Sequence, residues 1–320
     1  MRVRLPRLDG VDLNLFQFDF DLTMMIFFLN ADEHVYGRYG GRDGKNPDGR
    51  LSLAGLRYAM QAALDAHRGT PQKPIPRAKE GTRTVRDLFG GKAGSCIHCH
   101  QVKEKQHAEL KRKDLWSRDH LWRYPLPDNL GFILKVDRGD VVERVERNSP
   151  AARAGLQPGD VIHDIGGQAI HSFADAQFAL DKAPKSGVIE VTWRRGNKTQ
   201  KKRLALHEGW RKTDLSWRRS VQSVVPSARV VGRDLKPQER QARGLSAKQL
   251  AFWQLYPVSS AAKAAGVREK DIILGFDGKK LEMTAYEFLD YVRSNYLIGD
   301  KVTIDVLRGD MRLRLPMQLP

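Results

Sequence analysis

No stretch of this 320-residue chain approaches the ~18 consecutive apolar residues of a membrane-spanning helix. The most apolar run, residues 22–29 (LTMMIFFL), is strand-length and follows Asp19 and Asp21. The opening MRVRLPRLDG lacks the apolar core of a secretory signal, which by itself argues for the cytoplasm. No Gly-x-Ser-x-Gly motif occurs, and no cysteine precedes position 96. Methionine is absent between Met60 and Met283. A dense block of one charge is missing too. The net charge is +17, from 55 Lys and Arg against 38 Asp and Glu, yet the richest basic run, residues 103–113, still contains Glu104 and Glu109. Such a charge favours acidic partners, but its scatter reads as a solvated surface, with no nucleic-acid module. What is present, 41% hydrophobic and 29% charged residues, suits globular domains with real cores, and the length suits two or three of them.

The main positive signal is an internal repeat. Residues 149–167 (SPAARAGLQPGDVIHDIGG) align without gaps to residues 260–278 (SAAKAAGVREKDIILGFDG), so Gly155 becomes Gly266 and Asp160 becomes Asp271. Further on, Trp193-Arg194-Arg195-Gly196 matches Val306-Leu307-Arg308-Gly309, with two residues more in the second copy. Each copy predicts a short helix ending at a glycine suited to a left-handed cap. A turn, an apolar strand (DVIHDI, DIILGF) and a Gly-containing turn follow. Then come an amphipathic helix (173–182 and 285–294) and two closing strands (188–194 with 202–206, and 301–307 with 313–317).

The run Ser149-Pro150-Ala151-Ala152-Arg153-Ala154-Gly155-Leu156-Gln157-Pro158-Gly159-Asp160-Val161-Ile162 resembles the PDZ family, in the bacterial form attached to periplasmic proteases of the high-temperature-requirement type. The resemblance covers about residues 127–206 and 248–319. It implies a sheet that a ligand strand extends, and a loop whose backbone N–H groups hold the ligand's C-terminal carboxylate. Asn129-Leu130-Gly131-Phe132 resembles that loop. By resemblance Leu130, Gly131 and Phe132 would donate, and Phe132, Ala176 and Leu180 would line the pocket for the last side chain. Ala176 and Leu180 share a helix face, and such residues also serve as plain core. The second loop would be Gln249-Leu250-Ala251-Phe252, with alanine for glycine and a shortened strand, which suggests a docking module rather than a peptide site.

Both cysteines lie in Gly94-Ser95-Cys96-Ile97-His98-Cys99-His100. C-x-x-C-H is the attachment signature of c-type haem: two thiols reach the two vinyl groups, and the adjoining His100 meets the iron. A zinc site using Cys96, Cys99, His107 and His120, a redox pair, or a silent motif compete. With no methionine nearby, a sixth iron ligand must be histidine or the site is open. His120, beyond a predicted turn at 116–119, is better placed than His107 on the helix of His100. Haem of this type is attached outside the bacterial cytoplasm, so a periplasmic location is expected despite the missing signal.

Residues 11–67 predict strands at 15–18, 24–30 and 34–39, then a helix at 52–67 capped by Ser52. LTMMIFFLNADEHVYGRYGG is similar to the strand–turn–strand of thioredoxin-like proteins, but the half carrying their redox cysteines is absent. Met1 is therefore expected not to be the native start. The organisation expected is α+β: a partial thioredoxin-like segment (1–69), a Pro-rich linker (70–86), a haem-binding insert (87–126), a first PDZ-like module (127–206), a connector (207–247) and a second module (248–320). The function expected is a non-enzymatic, extracytoplasmic protein that binds partner C-termini and carries haem c, either for electron transfer with a redox partner or for redox sensing. A PDZ scaffold or protease-accessory protein whose motif binds zinc or nothing is the alternative.

Overall fold

The computed structural model describes residues 7–44, 46–69, 81–91 and 97–320; most of the Pro-rich linker, and Cys96, lie outside them. The chain forms two compact units, residues 1–213 and 214–320.

The first unit opens with a hairpin, β1 (Met25–Leu29) against β2 (Val35–Gly40), antiparallel. Asn30 makes its turn: the side-chain oxygen accepts the N–H groups of Asp32 and His34, and Glu33 sits at φ 64°. Helix α1 (Leu53–Arg68) follows, and the Ser52 hydroxyl accepts the Gly55 N–H as expected of an N-cap. The strand predicted at 15–18 does not form; those residues are turns that fold Phe16, Phe18 and Phe20 into an apolar cluster. The same cluster takes Val85 from α2 (Val85–Leu88) and Val102 from α3 (Cys99–Arg112). The segments predicted as separate thioredoxin-like and haem-binding pieces thus share one small core.

The rest of this unit repeats a strand–helix plan. Strands β3 (Phe132–Leu134) and β4 (Val142–Val145) form a hairpin. Helix α4 (Pro150–Ala154) starts at the Ser149 cap with Pro150 in its first turn and stops at Gly155, φ 92°. Strands β5 (Val161–Ile165), β6 (Gln168–Ala169), β7 (Gly187–Arg195) and β8 (Lys198–Leu206) make an antiparallel sheet in the order β6-β5-β7-β8. Helix α5 (Phe173–Lys182) has the predicted bounds. Val142 N–H donates to Asp160 O at 2.9 Å, which ties the hairpin to the sheet. Trp193, Leu204, Ile162 and Trp210 fill the core between them.

The second unit has one five-stranded antiparallel sheet, β13-β12-β11-β10-β9. Its elements are β9 (Gly232–Asp234), α6 (Pro237–Gln241), β10 (Phe252–Gln254), α7 (Ser260–Ala264), β11 (Ile272–Phe276), α8 (Ala285–Asn295), β12 (Lys301–Arg308) and β13 (Met311–Gln318). Phe252, Phe276 and Phe288 pack at its centre, with the Phe276 and Phe288 rings edge-to-face at 5.0 Å. The sheet begins inside the stretch predicted as a connector.

Candidate functional site

The repeat has a structural cause. Arg195 binds both carboxylate oxygens of the buried Asp160, at 2.7 and 2.8 Å, and its Nη2 also donates to Gly155 O. Arg308 does the same to Asp271, at 2.8 and 2.9 Å, and to Gly266 O. In each copy the same carboxylate accepts a turn N–H, from Gln157 or Arg268. One planar fork therefore locks the helix end to the closing hairpin. The aspartate and arginine shared by the two copies are a structural clasp, not a catalytic pair.

The candidate groove of the first module lies between β3 and α5. Gly131 is left-handed, φ 81°, and an added Cβ would meet the Ser149 Cβ at 2.0 Å. The glycine is needed, but the loop is wound as a 3-10 turn over Pro127–Leu130, and Gly131 N–H donates to Asp128 O at 2.9 Å. One of the three predicted carboxylate donors is thereby already engaged. Leu130, Phe132, Ala176 and Leu180 do come together, fully buried in one core cluster. They line no open pocket in this conformation.

Two parts of the chain enclose α5: the first segment, through β2, and Arg123, Tyr124 and Arg211, which bind Asp181 and Gln177. Helix α5 is buried almost all round: Ala174, Asp175, Gln177 and Asp181 are enclosed along with the core-facing residues, so the helix has no solvent face of the usual amphipathic kind. Strand β2 runs beside it. Arg38 N–H donates to Asp175 Oδ1 at 2.9 Å, and the Ser172 hydroxyl donates to Arg38 O. The Arg38 guanidinium lies 3.5 Å from the Phe178 ring centroid. Arg50 closes the opposite wall by donating to Leu134 O at 3.3 Å. Burial pushes the Asp175 carboxyl up to about 6, against the pull of Arg38.

The second module corrects the predicted loop. Strand β9 pairs with β10 as β3 pairs with β4: Gly232 stands opposite Gln254 where Leu134 stands opposite Val142. Gln254 N–H donates to Asp271 O as Val142 N–H donates to Asp160 O. Arg229, at φ 59°, then takes the place of Gly131, and its carbonyl accepts from the Ser259 hydroxyl that caps α7. The counterpart of Leu130-Gly131-Phe132 is Ala228-Arg229-Val230, not a loop at 249–252. Phe288 and Val292 take the places of Ala176 and Leu180, counted from the caps Thr284 and Ser172. Helix α8 buries only Ala285, Phe288 and Val292, leaving Tyr286 70% exposed, and Val231 beside β9 is 58% exposed. This groove helix keeps an open face.

The cysteine motif is only partly described. Cys99 opens α3 and packs half-buried on the N-terminal cluster, and burial pushes its thiol up. His100 Nδ1 bonds Glu104 Oε1 at 2.8 Å. His120, the expected sixth ligand, has its Nδ1 3.0 Å from Ser117 O and 3.1 Å from Ser117 N, contacts that either ring tautomer can make. His107 is buried, with Nε2 directed at His120 O, and desolvation pushes it down to about 4. Among the described residues no group of three His, Cys, Asp or Glu could hold a metal ion; Cys96 of the expected zinc set lies outside them.

Both units share this arrangement of hairpin, capped short helix, sheet and groove helix. A PDZ-domain family profile matches residues 141–195, so the first unit carries a PDZ domain. A "Probable periplasmic serine protease do/HhoA-like" from Haemophilus influenzae is 27% identical over 187 residues, covering 58% of this chain and 37% of the relative. "Periplasmic serine endoprotease DegP" of Salmonella typhimurium is 26% identical over 215 residues, covering 67% and 41%. The chain thus spans about two fifths of the length of these relatives. A crystal structure of the HtrA3 PDZ domain bound to a phage-derived ligand is 30% identical, covering 22% of this chain and 65% of that one, with a TM-score of 0.19. The expectation of a non-enzymatic protein is corrected by these relatives, which are named serine proteases. The haem and thioredoxin resemblances draw no support from the comparisons. No helix among the described residues is long and apolar enough to cross a membrane.

Proposed function

We propose that the chain takes part in periplasmic serine proteolysis of the DegP type, its two modules capturing extended peptide segments, C-termini above all. The observation that carries this reading is at Arg38: the side chains of Ser172 and Asp175 at the start of α5 hold the N–H and C=O of one residue of an extended strand. A groove that grips backbone in this way takes a strand of any sequence, and its apolar lining then selects side chains. The test is titration of the full chain with peptides ending in a hydrophobic residue, as free acid and as amide. Saturable binding is expected, with the amide weaker by about 1.5–3 kcal/mol, the range for hydrogen bonds to a charged group. Hydrogen exchange should map protection to β9 and α8, the open groove. Absence of saturable binding under all conditions would end the proposal.

A second reading rests on His100. Its Nδ1–H on Glu104 leaves the Nε2 lone pair for a metal, the arrangement usual for a ligating histidine. Cys96, Cys99 and His100 would hold haem c, which supplies one-electron chemistry when bound. Haem-stained gels of exported wild type and Cys99→Ala should then differ. Identical gels would leave the motif silent.

A further inference from the structure

We infer that the N-terminal hairpin is a built-in competitor for the first module's groove, so that this groove binds peptide only when the hairpin leaves. The inference rests on the peptide-capture reading above and adds its control.

Three observations carry it. The hairpin sits where a ligand strand would lie. In the β3–β4 pairing Gly131 O and Lys135 N–H face β4, receiving from Glu146 N–H and donating to Val141 O. Alternation along an antiparallel strand therefore turns the backbone groups of Phe132 and Leu134 the other way. On that outer side Arg50 reaches Leu134 O, and across the gap β2 lies along α5. The small residual cavity there, about 10 Å³, is lined on one wall by Leu134 and Val136, on the other by Ser172 and Phe173, and roofed by Tyr39 and Gly40.

The fit, moreover, depends on glycine. A Cβ on Gly41 would meet Gln177 Oε1 at 2.9 Å and the Phe173 ring at 3.0 Å, and one on Gly55 would meet Val136 O at 2.5 Å. At Gly55 the cover meets wall backbone too closely for a Cβ, and at Gly41, φ 98°, a side chain would be strained and would press on Gln177 and Phe173. Polar anchors hold it as well: Arg38 on Asp175 and Ser172, and Tyr58, whose hydroxyl donates to Asp140 at 2.6 Å.

Finally, the two modules differ in the exposure of their groove helices. The outer face of α8 is open, whereas that of α5 is enclosed. The hairpin forms a two-stranded sheet of its own and contributes no strand to the module's sheets.

The test compares wild type with Gly41→Val and Arg38→Ala in the full chain, using a fluorescent peptide with a hydrophobic C-terminus and hydrogen exchange as the map. Gly41→Val leaves the module's sequence intact and crowds the contact between the cover and Gln177 and Phe173 of α5; thermal melting checks that the sheet persists. Expected are at least a tenfold gain in affinity assigned to residues 131–136 and 173–182 in both variants. In the wild type, peptide should speed exchange at residues 35–40 while slowing it along α5. Equal affinities in wild type and in variants shown by exchange to have released residues 35–40 would overturn the competitor role and leave peptide capture standing. So would peptide protecting α5 of the wild type while residues 35–40 keep theirs. If the released variants bind no peptide at this module, the first groove is not a peptide site, and capture and competition fail together there.

Discussion

At the scale of single residues, Gly131 and Gly155 separate two reasons for a glycine. Both are left-handed, at φ 81° and 92°. A Cβ on Gly155 meets nothing within 4 Å, whereas one on Gly131 falls on the Ser149 side chain. Gly155→Ala should therefore cost only the left-handed strain, about 1–2 kcal/mol. Gly131→Ala should cost several kcal/mol, because Ser149 must move and with it the cap of α4. Urea unfolding of the full chain, followed by the fluorescence of buried Trp193 and Trp210, compares them. Equal losses would mean that the loop yields to Ser149 without effort. Gly131 consequently makes a poor probe of ligand binding: its removal disturbs the loop before any peptide arrives.

At the scale of elements, what was legible is what local chemistry dictates. Ser52, Ser149 and Ser172 cap helices that begin where their hydroxyls accept. The closing hairpins β7–β8 and β12–β13 contain every strand residue expected of them. The first strand of the second module was missed for an equally physical reason. Residues 235–251, including α6, are inserted where the first copy needs only residues 135–141, and Arg229 adopts the left-handed turn without being glycine. The expected loop at 249–252, with Ala251 in place of glycine, is therefore not the counterpart of 129–132. The faint signal available was Val-Val-Gly-Arg-Asp at 230–234, a short apolar run that ends near a polar cap for α8. Asp234 does supply it, accepting the Ala285 N–H at 2.9 Å. Nothing in the sequence announces that β2 covers α5. The contact joins residues more than a hundred positions apart, and its glycines look like ordinary loop residues. The CxxCH motif gave the opposite difficulty. Its spacing is specific, yet Cys96 lies outside the described residues and His107 is buried with its Nε2 directed at His120 O.

At the scale of the molecule, the dependence of stability on pH joins these features, because two buried groups in the first unit oppose each other. Asp175 is pushed up to about 6 by burial under the hairpin, facing the Arg38 guanidinium, the Ser172 hydroxyl and the amides of Arg38 and His171. Its folded pKa exceeds the unfolded 3.8, so its contribution is full below pH 3.8 and is lost as pH rises through about 6. His107 is pushed down to about 4 by burial, with Lys103, His120 and Asp21 around it and the edge of Trp116 against its ring. Its folded pKa lies below the unfolded 6.5, so its contribution is full above pH 6.5 and is lost as pH falls through about 4. Each shift is about two units, or roughly 3 kcal/mol at 1.36 kcal/mol per unit. Between pH 6.5 and 4 the two slopes have opposite signs and similar size, and the wild type should show little net change from them. Asp175→Asn leaves His107 uncompensated, and stability should fall as the solution is acidified across that window. His107→Leu leaves Asp175, and stability should rise instead. Urea midpoints at pH 7, 6, 5 and 4 for the three proteins measure this directly. Parallel profiles would show that neither group is desolvated in solution, and would mean for Asp175 that water reaches α5 where the hairpin should exclude it.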